Sequence, residues 1–137
     1  MGSFNDYMEN KVLDHIFGGV AFSPPGTYYL AAYTVAPGES GGGTEISNTG
    51  TAYVRQPMIN DLTRFPSAVA GAKTNGTLIT FPTATLDWGT VVGFALLDSV
   101  TYGSGNFICY SALTQAKIIG TGDVLRCPAG TLSFSLD

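Results

Sequence analysis

Three features of this sequence predict a mainly β chain, an antiparallel β-sandwich or barrel with one N-terminal helix and long surface loops. Strand-length runs of Val, Ile, Thr, Tyr and Phe recur along it, cut by clusters of Gly, Pro, Asn and Ser that cannot sustain a ladder. Leu132, Phe134 and Leu136 alternate with Thr131, Ser133 and Ser135, the period of a strand with one wet face. Helical spacing occurs once, at the front. The 137 residues fit a single domain, 1–137, with an N-terminal helix or arm over 1–18 and a β body over 27–137.

The helix is read from Phe4, Met8, Val12 and Ile16, which recur four apart after a Ser3/Asp6 capping arrangement and stop at Gly18-Gly19. Tyr7, Leu13 and Phe17 fall off that stripe, so apolar groups face more than one side. Two readings stay open: the helix packs on its own sheet, or a neighbouring subunit covers part of it.

After Ser23-Pro-Pro-Gly26, the run from Thr27 to Val35 suits a buried strand. Residues 36–50 carry Pro37 and five glycines with Glu39 and Glu45, which predicts a long surface loop. A strand over Ala52 to Gln56 follows, then an irregular excursion from Asn60 to Asn75. Asn75-Gly76 is a turn signal before a strand over Thr77 to Phe81, and in this context outweighs the glycosylation sequon it also spells. Further strands are predicted at Val91–Leu97, Phe107–Ala112, Asp123–Cys127 and Thr131–Leu136. Trp88, Phe94, Leu96, Phe134 and Leu136 are the expected core.

Composition narrows the function. Charged residues make up only 12%, the net charge is −4, and the six Lys and Arg are scattered singly. No basic stripe exists to neutralise phosphates, which argues against a nucleic-acid partner. No apolar run approaches the length of a membrane span, and Asp6 stands where a myristoylation motif needs Ser or Thr. With no basic, apolar leader at its start, the chain reads as made in a cytoplasm. Cys109 and Cys127 have neither C-x-x-C spacing nor a companion histidine, so both are expected as buried free thiols.

Nothing in the sequence assembles a catalytic set. His15, the lone histidine, is read as a packing or capping residue near the helix C-terminus. Gly120-Thr-Gly122-Asp123 lacks the third glycine and the helix of a dinucleotide site, and Gly103-Ser-Gly105 lacks the Lys-Ser or Lys-Thr of a phosphate loop. Both are read as turns. Glu39 and Glu45 are expected on a solvated loop, without the spacing of a calcium site. Trp88 is read as core or interface rather than a carbohydrate-stacking ring. No cofactor and no enzymatic role are expected, a small hydrolase or lectin being the remote alternative.

Seven blocks of the sequence are distinctive together: Asn10 to Gly18, Tyr53-Val-Arg-Gln56, Phe81 to Val91, Tyr110-Ser-Ala-Leu-Thr114, Lys117 to Asp123, Pro128 to Leu132, and Leu136-Asp137. In this order they resemble a family of small tailed-bacteriophage virion proteins, tail-fibre-like or capsid decoration proteins. The resemblance implies a non-enzymatic, self-associating structural protein of the virion with a β-sandwich body. A capsid cement protein is the first reading: a trimer on the outer capsid surface, holding the major capsid protein. A tail-fibre or tail adaptor component, partnered by tail proteins, is the alternative. The candidate interface is Phe4, Tyr7, Met8, Val12, Ile16 and Phe17 of the N-terminal segment, with Glu39 and Glu45 of the first long loop. Removing Met1 to Phe17 is expected to leave the β body folded.

Overall fold

The computed structural model describes residues 3–136. Its centre is a sheet built on three long strands: β2 (Thr27–Val35), β7 (Gly89–Leu97) and β8 (Phe107–Ile119). β-branched and aromatic side chains recur in these runs, as suits a pleated surface, and β2 and the second half of β7 are buried on both faces. Each strand is antiparallel to its neighbour, with Leu30 opposite Leu96 and Leu96 opposite Cys109. On one edge, β1 (Ser3–Phe4) pairs with β8. On the other, β3 (Thr44–Glu45) and β4 (Gln56–Ile59) lie end to end along β2. Two short ribbons, β5 (Ala72–Thr74) with β10 (Ser133–Ser135) and β6 (Ile79–Thr80) with β9 (Arg126–Cys127), complete a sandwich-like arrangement rather than a closed barrel.

Side chains alternate along β2 and β7, and both faces are buried. Leu30, Ala32, Phe94 and Leu96 join the main core with Phe81, Trp88, Ile79, Leu125 and Cys127. Ala31, Tyr33, Ala95 and Leu97 form a smaller cluster on the opposite face, edged by Phe107 and Tyr110. Trp88 is buried, donates its indole N–H to the Thr51 carbonyl at 2.9 Å, and meets the Tyr53 ring edge-on at 5.4 Å. Its placement in the core is as expected.

Helix α1 spans Asp6–Phe17. Its N-cap is Asn5 rather than Ser3, because Ser3 and Phe4 are already committed to β1. Asn5 is fully buried, and its side-chain amide donates to the Gly38 and Glu39 carbonyls, both at 2.7 Å. The helix start is thereby fastened to the loop after β2.

Several boundaries differ from expectation. The strand placed at 52–56 begins only at Gln56; residues 51–55 alternate inward and outward without a ladder, and Ala52 sits at φ 62°. The long loops at 36–50 and 60–75 contain β3 and β5, and Ile46 within the first is buried in the core. β8 runs seven residues beyond the predicted end, carried past a bulge opposite Val91–Gly93 by continued pairing with β7. The strands predicted at Thr77–Phe81, Asp123–Cys127 and Thr131–Leu136 contract to two or three residues, and Leu136 is 62% exposed while Phe134 is only half-buried. Alternation at 131–136 identified a strand there, but a three-residue ribbon edge offers no second layer to cover Leu136.

Candidate assembly surface

A buried polar network organises one face. The Ala32 N–H donates to the Tyr53 hydroxyl at 3.0 Å, which donates to Glu45 Oε1 at 2.8 Å. Arg55 grips the same carboxylate at two points, Nε to Oε1 and Nη2 to Oε2, both 2.8 Å. Its remaining nitrogen, Nη1, donates to the Ser99 and Ser104 carbonyls of the β7–β8 connection at 2.7 and 2.8 Å. Neither side chain is solvated: 2% of Arg55 and 8% of Glu45 is exposed. Glu45 is therefore not on a solvated loop. It looked solvated in sequence because it follows a glycine-rich run and its partner lies ten residues further on. Burial of the guanidinium alone would lower its pKa, but the hydrogen bonds and charge of Glu45 outweigh this and hold it above its ordinary value. Burial pushes the Tyr53 and Tyr33 hydroxyls well up, with Glu45 the next cause in each case.

This network fixes backbone rather than holding a ligand. Both carboxylate oxygens are occupied, and the guanidinium is spent on two loop carbonyls and one acid. A second clamp is Asn75, 1% exposed, which donates to the Thr77 and Pro128 carbonyls at 3.0 and 2.9 Å and accepts from the Leu132 N–H at 2.9 Å. The Asn-Gly pair marks a turn in sequence; the structure also makes it the pin that holds the C-terminal segment.

The residues proposed as an interface divide into two groups. Met8 is buried in the core, and Phe4, Tyr7 and Val12 pack against it, which supports the reading of a helix lying on its own sheet. Ile16 and Phe17 are 62% and 82% exposed, and the neighbouring Leu13 and Val20 are 53% and 55% exposed. Leu13, Ile16 and Phe17 stand at i, i+3 and i+4 and form one apolar patch at the free end of the helix, with Val20 exposed just beyond its Gly18 C-cap. Glu39 keeps its side chain in solvent while its carbonyl accepts from Asn5 and from the Asp6 N–H. The exposed patch was legible only in part, because helical spacing does not say which of two apolar faces the sheet will take.

His15 lies in the last helical turn with Nδ1 3.1 Å from the Val20 carbonyl, a local capping contact. Gly120–Asp123 is a tight turn closed by Asp123 N–H to the Gly120 carbonyl, and Asp87 accepts from the Thr121 N–H and hydroxyl. Those bonds hold the exposed Asp87 carboxyl below its ordinary value. Cys109 and Cys127 are free and buried. Burial pushes their thiols up to about 12 and about 11. Among the described residues no group of three or more His, Cys, Asp and Glu is placed to hold a metal ion. Among the described residues no helix is long and apolar enough to cross a membrane.

No curated protein matches this chain. Residues 3–135 match the family described as podophage GP4 fiber I protein gp80. The match runs through the helix, the central sheet and both ribbons, in agreement with the phage virion resemblance carried by the sequence blocks. With almost its whole length inside that match, the chain belongs to the podophage GP4 fiber I protein gp80 family of tailed-phage virion structural proteins.

Proposed function

We propose that the protein is a non-enzymatic building block of the phage fibre, working through packed surfaces and not through a reaction. The observation that carries this reading is the family match over residues 3–135, whose description is of a fibre protein. The geometry is in keeping with it. The buried charges, Glu45 and Arg55, are consumed in bracing loops, and the thiols are protonated and enclosed. The accessible surface includes apolar side chains such as Phe17, Ile118 and Val69, which a partner covers at small desolvation cost.

The sequence-based order put a capsid cement protein first, because the chain has no fibrous repeat or coiled coil to lengthen a fibre. The family description, which is of a fibre protein, supports taking the fibre reading first. The two readings part on location and copy number: immunogold labelling of intact particles, with stoichiometry measured against the major capsid protein, decides between them. Label on the tail at a copy number far below that of the capsid protein is the expected result. Label over the head, at a copy number comparable with the capsid protein, overturns the fibre reading in favour of cement.

A further inference from the structure

We propose that the chain associates with a second copy of itself by seating Phe17, at the tip of α1, in the apolar cleft between β8 and β10 of that copy. Phe17 is the most exposed large apolar residue among those described, at 82%, so it does not occupy its own chain's cleft. Leu13 and Ile16 flank it on the helix, and Val20 is exposed just beyond the C-cap. Residues 13–21 are exposed without interruption, so the tip offers itself as a knob.

The cleft matches that knob in size and chemistry. Phe94, Leu113, Leu132 and Phe134 are among the apolar residues lining a hollow of about 150 Å³, where Ser111 and Thr131 are among the polar ones. An apolar cavity of roughly that volume accepts a benzene ring, and the guest here is the phenyl group of Phe17. Phe94, Leu113 and Leu132 also line an adjoining hollow of about 120 Å³ that is walled by Lys117 and Arg126. Neither hollow has an Asp or Glu in its lining among the described residues. Asp14, exposed and three residues before Phe17, puts a carboxylate beside the knob. An apolar tip with a carboxylate next to it thus matches a cleft with two basic residues alongside it. This complementarity selects a second copy over a lipid surface or an arbitrary apolar partner.

Knob and cleft are different surfaces, so the contact is reciprocated about a two-fold axis or passed round a closed ring. Either assembly follows from the same pair of surfaces. The contact serves a fibre or a cement protein equally, so its test is separate from particle labelling.

Sedimentation velocity of the purified full chain provides the test. Wild-type protein is expected to form a dimer or closed ring. Phe17→Asp, an exposed substitution, is expected to raise the dissociation constant by at least about tenfold. Thr131→Trp, on the exposed rim of both hollows, is expected to block the cleft from the other side. The two variants mixed together are expected to form a one-to-one pair, since one intact Phe17 then meets one intact cleft. Leu62→Asp, at an exposed apolar site outside the cleft, is expected to change nothing. A monomeric wild type at every concentration overturns the proposal, as does an oligomer indifferent to Phe17→Asp. So does a Phe17→Asp chain that keeps its oligomer but fails to enter virions, because the tip then binds another virion protein.

Discussion

Arg55 and Glu45 form a two-point ion pair, 2.8 Å at each point, which joins the extended segment before β4 to β3 and to the β7–β8 connection. The pair is enclosed, so removing one partner strands the other charge away from water. Arg55→Ala is expected to cost about 3–5 kcal/mol and to release the connection at Ser99 and Ser104. Replacing both partners by apolar residues is expected to cost less than Arg55→Ala alone. Denaturant unfolding of the singles and the double checks the order, and amide exchange over 98–106 checks the release.

Asn75 is the corresponding pin for the C-terminal segment. Asn75→Ala leaves the Thr77 and Pro128 carbonyls and the Leu132 N–H without their side-chain partner, with an expected loss on the order of 3 kcal/mol. Gly76→Ala should also destabilise, because a Cβ there would collide with the Thr63 carbonyl and the Pro66 ring. Urea unfolding of both variants measures the effects; wild-type stability in both would show that the segment is held by other contacts.

The architecture was legible where a signal was local and strong. β2 and β7 are apolar strand-length runs, and both appear as central strands. The β7–β8 connection and the 120–123 turn were equally plain from their glycines. The ribbons were harder: β5, β6, β9 and β10 are two or three residues each, and such pairing is set by a distant partner rather than by its own sequence. The same cause hid the polar network. Glu45, Tyr53 and Arg55 read singly as loop and strand residues, and only closure of the chain against Ser99 and Ser104 makes them one object. At the assembly surface, apolar spacing found the helix, but the division between Met8 inside and Phe17 outside depends on where the sheet lies.

Core truncations should rank by enclosure. Phe94→Ala, at a buried site, is expected to lose about 3–5 kcal/mol. Phe134 is half-buried and keeps an edge contact with Phe65 at 5.6 Å, so Phe134→Ala should lose distinctly less. Leu136→Ala is expected to stay within about 0.5 kcal/mol of wild type. Chemical denaturation in one buffer series gives all three, and a costly Leu136 variant would show that its surroundings are closed in solution.

Alkaline pH should unfold the protein before acid chemistry of its own does. The folded thiols of Cys109 and Cys127 titrate near 12 and 11, above their ordinary 9.0. Above pH 9 the unfolded chain therefore holds fewer protons than the folded one, and stability falls as pH rises. The contribution is complete below pH 9 and is lost progressively as pH rises through the folded values; the raised Tyr28, Tyr33 and Tyr53 act in the same sense from pH 10 upward. Melting temperature followed from pH 8 to 11 is expected to decline, and Cys109→Ala with Cys127→Ala should flatten the early part of that decline. Native protein at pH 8 should resist alkylation at both thiols, which react once it is unfolded.

Deleting the N-terminal segment separates two roles that the sequence had merged. Loss of residues 1–17 was expected to spare the β body, but Phe4 pairs into the sheet, Asn5 fastens the loop after β2, and Met8 is part of the core. The truncation removes core surface, and burial of Met8 alone is worth about 2–5 kcal/mol on the scale of large-to-alanine changes. A truncated chain is therefore expected to melt well below the full chain, so its failure to assemble would not identify an interface. Phe17→Asp isolates the exposed tip: its melting temperature, compared where both chains are monomeric, should stay close to that of the full chain and well above that of the truncation. A truncation that melts with the full chain would return the whole segment, Met8 included, to the role of a detachable arm.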